Sequence, residues 1–134
     1  MLEQLSIFTE NSQGAMQKIT QVLADNDINI WGSVTNDSAE YGIVRMVVSD
    51  AHKAKELLTA RSYMCKLSDV IGVRLEDEVG ALNELLIAAS ESHINIDYIY
   101  LSFERASSKP VLILHTTDAY EVEECLASRG FTVL

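Results

Sequence analysis

Basic residues are scarce in this sequence: 10 Lys and Arg stand against 20 Asp and Glu, a formal charge of −10. Nucleic-acid binding draws most of its affinity from clustered Lys and Arg, so this balance argues against a phosphate-backbone partner. The one dense basic stretch, His52, Lys53 and Lys55, falls on a predicted helix, is answered by Glu56 and reads as a solvated face. Cysteine is scarcer still. Cys65 and Cys125 have neither C-x-x-C spacing nor a framework around them, and read as reduced core thiols of a cytoplasmic protein. Long apolar runs are missing as well. No stretch approaches the ~18 residues of a membrane span, and Met1-Leu2-Glu3-Gln4 lacks the basic start and apolar core of a signal peptide. What is present is an ordinary globular composition, 48% hydrophobic and 22% charged over 134 residues.

Catalytic and cofactor motifs are also missing. There is no G-x-G-x-x-G, no Walker loop and no G-x-S-x-G elbow. His52, His93 and His115 fall on a helix face, a helix-to-strand turn and a strand end, none with a second ligand at metal spacing. The acids Glu76, Asp77 and Glu78 read as a helix start, with Asp77 capping and its neighbours favouring the positive end. Trp31, Tyr98 and Tyr100 read as sheet-packing aromatics. The expectation is a protein that is not an enzyme and needs no metal or cofactor.

The chain repeats itself. Gly14-Ala15-Met16 recurs as Gly80-Ala81-Leu82, 66 residues on, and the same shift carries Glu10 to Glu76 and Ile28-Asn29-Ile30 to Ile94-Asn95-Ile96. Later anchors are displaced by 68: Asp50-Ala51 falls on Asp118-Ala119, and Arg61-Ser62-Tyr63 on Arg129-Gly130-Phe131. The two extra residues fit the polar turn Arg105 to Pro110, where insertions cost little. Two domains follow, at 1–68 and 69–134.

Each copy carries the same pattern. Leu5, Ile7 and Thr9 alternate as in a half-buried strand, and Ala15, Met16, Ile19, Val22 and Leu23 recur at helical spacing. Asn11 or Ser12 is available as the cap of that helix. Strands are predicted at Ile28–Thr35 and Gly42–Val48 around the turn Asn36 to Glu40. Asp50 caps a second helix, and a strand covers Tyr63–Leu67. The second copy gives a strand at Val70–Glu76, a helix with Val79, Leu82, Leu85, Leu86 and Ala89 on one face, and strands at Ile94–Glu104 and Val111–Thr116. Asp118-x-x-Glu121 opens the last helix as a capping box and Gly130 ends it. The class is α+β: two ferredoxin-like βαββαβ units, each an antiparallel four-stranded sheet with its helices on one face. Only Ser68-Asp69 joins the copies, so an exchange is expected: Tyr63–Leu67 in a hairpin with Val70–Glu76, and Phe131–Leu134 at the vacated edge of the first sheet.

The repeated feature with chemical content is a strand ending in polar residues, a Gly opening the helix, and an Asn between two isoleucines. Gly14 and Gly80 remove a Cβ from the path of a ligand, and the N–H groups of the first helical turn attract a carboxylate. Asn11, Asn29 and Asn95 offer carbonyl oxygens to an ammonium group and N–H donors to an oxyanion. Such a set suits a zwitterion such as a free amino acid. The same Gly and Asn also serve a turn and a strand entry, and spacing leaves both readings open.

These residues, Glu10 to Met16 with Asn26 to Ile30, and Glu76 to Leu82 with Ser92 to Ile96, resemble the ACT-domain family of regulatory modules. The resemblance covers essentially the whole chain, as a tandem with no attached catalytic domain. It implies a regulatory protein that binds a small effector, most simply an amino acid, where ACT units pair, and a homodimer. Carried over by position, the contacts fall on Asn11, Ser12, Gln13, Gly14, Ala15 and Met16, with Asn29 and Ile30 at the second strand. The second-copy equivalents are Asp77, Glu78, Val79, Gly80, Ala81 and Leu82, with Asn95 and Ile96. The family often has Pro before the Gly, where this chain has Gln13 and Val79. Asp77 and Glu78 add negative charge where an effector carboxylate would sit, so the first loop is expected to be the better site. The competing expectation is a protein-interaction subunit that docks a separate metabolic enzyme and keeps vestigial pockets.

Overall fold

Alternation of apolar and polar residues sets the strands, and a 3.6-residue apolar period sets the helices, in the same order in both copies. The computed structural model describes residues 1–37 and 41–134. It contains strand β1 (Leu2–Glu10), helix α1 (Ala15–Asp25), β2 (Ile30–Asp37), β3 (Tyr41–Val48), α2 (Ala51–Thr59), β4 (Met64–Arg74), α3 (Ala81–Glu91), β5 (Tyr98–Phe103), β6 (Pro110–His115), α4 (Ala119–Ser128) and β7 (Thr132–Val133). The class is α+β, as the repeat predicts. The turn predicted over Asn36 to Glu40 lies partly outside the described residues. The chain divides into two units, residues 3–68 and residues 69–134, the latter joined by Met1 and Leu2.

In the first unit β3 pairs antiparallel with β1, Leu5 opposite Met46, and with β2, Val34 opposite Arg45. β4 lies beside β1. Leu5, Ile7, Val44 and Met46 from the sheet meet Ile19, Leu23, Ala54 and Leu58 from α1 and α2 in one core, all essentially inaccessible to solvent. In the second unit β6 pairs antiparallel with β4, Val73 opposite Leu112, and with β5, Tyr100 opposite Ile113. Ile71, Val73, Leu112 and Leu114 meet Leu85, Val122 and Leu126 in the equivalent core. Cys65 and Cys125 are free and half-buried. Burial pushes the Cys65 thiol up, against a hydrogen bond to Thr59 and the charge of Lys55. No helix among the described residues is long and apolar enough to cross a membrane.

Three expectations need correction. The exchange of last strands does not occur. β4 runs through Ser68 and Asp69 without a turn, and Thr132–Val133 pairs with Val73–Arg74 inside its own unit. A two-residue hairpin there needs positive φ at its central residues, and neither Ser68 nor Asp69 is a glycine or asparagine. The C-terminus is instead held locally: Leu134 N–H donates to the Gly72 carbonyl at 2.9 Å, and the Met1 ammonium donates to the Leu134 carbonyl at 2.7 Å. Second, Asn11, Ser12 and Asp77 do not occupy the N-cap positions. Gly14 and Gly80, both left-handed, are the N-caps of α1 and α3, with no side-chain bond. Third, Asp50 does cap α2, accepting from Lys53 N–H at 3.0 Å, but Asp118 makes no such bond at α4, so that capping box is not closed.

Candidate functional site

Polar strand ends, a glycine turn and the exit of the second helix meet at one end of each unit and leave a cleft. In the first unit the cleft is about 250 Å³ and is lined by Phe8, Thr9 and Glu10 from β1, Ser12 from the loop, Ala15 and Lys18 from α1, and Ser62 and Tyr63 before β4. In the second it is about 310 Å³, lined by Arg74, Leu75, Glu76, Glu78, Ala81, Glu84, Gly130 and Phe131, with Lys109 and Thr132 in addition. Every first-cleft residue has its repeat partner in the second, at a shift of 66 through Glu84 and of 68 at Gly130 and Phe131.

The glycines work through the backbone. Gly14 has φ +79 and Gly80 φ +92, and a Cβ built on either would meet nothing within 4 Å. The loop therefore requires glycine for its left-handed conformation, not to clear room in the resting protein. The turn brings Ala15 N–H to the Ser12 carbonyl at 3.2 Å and Ala81 N–H to the Glu78 carbonyl at 3.3 Å.

Charge separates the two clefts. The first carries Glu10 and Lys18, one of each sign, and the first turn of α1 has no acidic residue. The second carries Glu76, Glu78 and Glu84, with Glu84 in the first turn of α3. Its two cations are engaged: Lys109 Nζ donates to Glu76 at 2.6 Å, and Arg74 donates to Glu104. That guanidinium, helped by the Ser107 hydroxyl, holds the Glu104 carboxyl below its ordinary value of 4.5. A carboxylate entering the second cleft thus meets acids whose counter-charges are already used.

The two asparagines lie elsewhere. Asn29 and Asn95 sit beyond the C-termini of α1 and α3, about 16 Å of helix rise from the Gly loops. Asn29 N–H donates to Ser49 Oγ at 2.9 Å, and the Asn95 carbonyl accepts from Thr116 Oγ1 at 2.9 Å. A single unit therefore does not bring its own Gly loop and Asn together.

The fold and this loop can be set against known proteins. A family model described as "ACT domain pair" matches residues 1–132. The chain belongs to the ACT-domain family. A solved Bacteroides thetaiotaomicron protein shares 29% identity with a TM-score of 0.90, over 99% of this chain and 91% of that one. The regulatory subunit of aspartate kinase from Thermus thermophilus, in its ligand-free form, matches at 16% identity and a TM-score of 0.67, over 94% and 91%. That from Thermus flavus matches at 17% and 0.61, over 94% and 90%. These two likenesses are of fold. No curated protein matches the sequence.

Within this ACT pair, the residues anticipated from the sequence divide. Ser12, Ala15, Glu78 and Ala81 line the clefts. Asn11, Gln13, Gly14, Asp77, Val79 and Gly80 are exposed on the same loops outside the lining, as is Leu82 in the first turn of α3. Met16 and Ile30 pack on the first core and Ile96 on the second, so their side chains serve the fold. Lys18, Glu84 and the Ser62-Tyr63 and Gly130-Phe131 pairs were missed as site residues, although the repeat already aligns Arg61-Ser62-Tyr63 with Arg129-Gly130-Phe131. Among the described residues no group of three His, Cys, Asp or Glu could hold a metal.

Proposed function

We propose that this ACT pair is a non-catalytic regulatory protein whose effector is a free amino acid, bound first at the cleft of the N-terminal unit. The observation that carries this reading is the pair of clefts at repeat-equivalent positions, of which one alone offers both charges an amino acid needs. Glu10 suits the ammonium group; Lys18 and the N–H groups at the start of α1 suit the carboxylate. The polar contact expected from Asn29 then comes from another ACT domain, such as a second copy of the chain, because α1 separates it from its own loop. A fold shared with regulatory subunits of aspartate kinase is in keeping with this role.

The test is a melting screen against the twenty amino acids at millimolar concentration. A native-state effector raises the melting temperature by mass action: at about one hundred times its Kd the gain is about 2.7 kcal/mol. One or a few amino acids should give such a rise, and Lys18→Glu, which copies Glu84 of the second cleft, should remove it. A panel without any shift would contradict the proposal.

A second reading is favoured by β5, whose Leu101 and Phe103 are 54% and 62% exposed. An apolar edge strand of this kind can dock another protein. A partner that co-purifies in fixed proportion, with no response to any amino acid, would select it.

A further inference from the structure

The second unit leaves one edge of its sheet open. Among the described residues β5 pairs with β6 alone, each residue from Tyr98 to Phe103 in register with one from His115 to Pro110. Glu104 N–H donates to the Lys109 carbonyl at 2.9 Å, so the even-numbered residues of this ladder bond to β6. Ile99, Leu101 and Phe103 therefore turn their backbone groups to the open edge. Such an edge invites another strand unless charge, proline or a bulge blocks it. The repeat-equivalent edge of the first unit, β2, is blocked: its register shifts between Ile30 and Gly32, and it ends on Asp37. β5 has an unbroken register and contains no charged residue, glycine or proline.

The side chains around this edge are apolar. Leu101 lies opposite the core residue Leu112, so Leu101 and Phe103 project on the helix-bearing face, and both are more than half exposed. Leu82 and Leu86 lie two residues either side of Glu84, on nearly the opposite flank of α3. Glu84 lines the cleft beside β4 and β7, so theirs is the flank toward β5. The first-unit repeat partners of Leu86, Leu101 and Phe103 are Thr20, Thr35 and Asp37, so this apolar flank is particular to the second unit.

Charge selects the occupant. Residues 69–134 carry 12 Asp and Glu against 4 Lys and Arg, a net of −8, whereas residues 3–68 carry 8 against 6, a net of −2. Three of the four cations are tied to the unit's own acids: Arg74 to Glu104, Lys109 to Glu76 and Arg129 to Glu91. A second copy offering the same edge would set −8 against −8, while a basic segment would be drawn in.

We propose that β5 accepts, as an added strand, an extended basic segment of another protein with apolar residues at alternate positions. Its main chain pairs with Ile99, Leu101 and Phe103, and its apolar residues pack beside Leu101, Phe103 and Leu86. The inference rests on the docking reading of β5 given above and is independent of the effector cleft.

The test titrates the heptapeptide KVKLKVK into the 15N-labelled full chain. Saturable amide shifts at Ile99, Leu101 and Phe103 are expected, weakening as salt is raised. EVELEVE keeps the apolar residues with the opposite charge, and KTKTKTK keeps the charge without them; each should bind at least roughly tenfold more weakly. Leu101→Thr, which copies the first unit, should cost roughly tenfold in affinity for KVKLKVK with an unchanged melting temperature. Should that variant melt lower, Phe103→Thr decides in its place. If neither KVKLKVK nor EVELEVE shifts the β5 amides, docking at β5 fails altogether. If EVELEVE or KTKTKTK binds as tightly as KVKLKVK, docking stands and the basic, apolar partner is wrong. A dimer in sedimentation that Leu101→Thr dissociates would assign the edge to a second copy. Each of these three results, or an unchanged affinity in the variant, overturns the proposal.

Discussion

At the residue scale, single charges tell the two copies apart more sharply than their folds do. Lys18 against Glu84 inverts the sign at the mouth of the loop cleft, and Lys53 against Glu121 inverts it at the far end of the helices. The second unit answers part of its own acidity with the Arg74–Glu104 pair, half-buried on both sides. Because Glu104 titrates below its ordinary 4.5 in the folded protein, the pair stabilises fully above that pH and is lost as pH falls through the depressed value. Glu104→Gln should therefore melt lower than wild type at neutral pH, with the gap closing as the melt is repeated below pH 4.5. A gap that persists in acid would show that Glu104 acts by packing and not by charge. These pairings were not legible in the sequence, since Arg74 and Glu104 lie 30 residues apart and meet only through the ladder of β4, β6 and β5.

At the element scale, all four helices among the described residues end the same way. Asp27, Ser62, His93 and Gly130 are left-handed, and the apolar or aromatic residue after each turns back to the helix: Ile28 to Leu23, Tyr63 to Leu58, Ile94 to Ala89 and Phe131 to Leu126. This is the Schellman stop, with the following side chain packed on the core. Three of the four use a residue with a Cβ, which costs about 1–2 kcal/mol in that conformation. Ser62→Gly should raise stability by about 0.5 kcal/mol after the greater freedom of unfolded glycine is set against it, a rise of roughly 2 °C in thermal melts. A fall would mean that the Ser62 side chain contributes more than its strain removes. The sequence made only Gly130 readable as a stop, because glycine announces positive φ and Asp, Ser and His do not. It misplaced the caps of α1 and α3 for the converse reason: the polar residues before each Gly have the right chemistry, but the turn puts the Gly itself at the cap.

At the scale of the whole molecule, duplication accounts for what could be read and divergence for what could not. Periodicity, the glycine loops and the register of the repeat give the order of the elements, with the two expected strands Tyr63–Leu67 and Val70–Glu76 run together as β4, and β5 starting at Tyr98 and not at Ile94. The join differs from the expectation because a two-residue link permits a hairpin by length, whereas Ser68-Asp69 lacks the glycine that favours such a turn and continues the strand. The site was legible at the loops and incomplete at the helices: Lys18, one helical turn beyond Gly14, faces the cleft because α1 starts there. Two clefts from one ancestor, one with both signs of charge and one with acids in excess and its cations already engaged, are expected to bind unequally. The direct test is isothermal calorimetry with the amino acid that gives the largest melting shift. The account predicts one effector bound per chain, abolished by Lys18→Glu and retained in Glu84→Gln. Two equal sites per chain, or binding that survives Lys18→Glu, would contradict it.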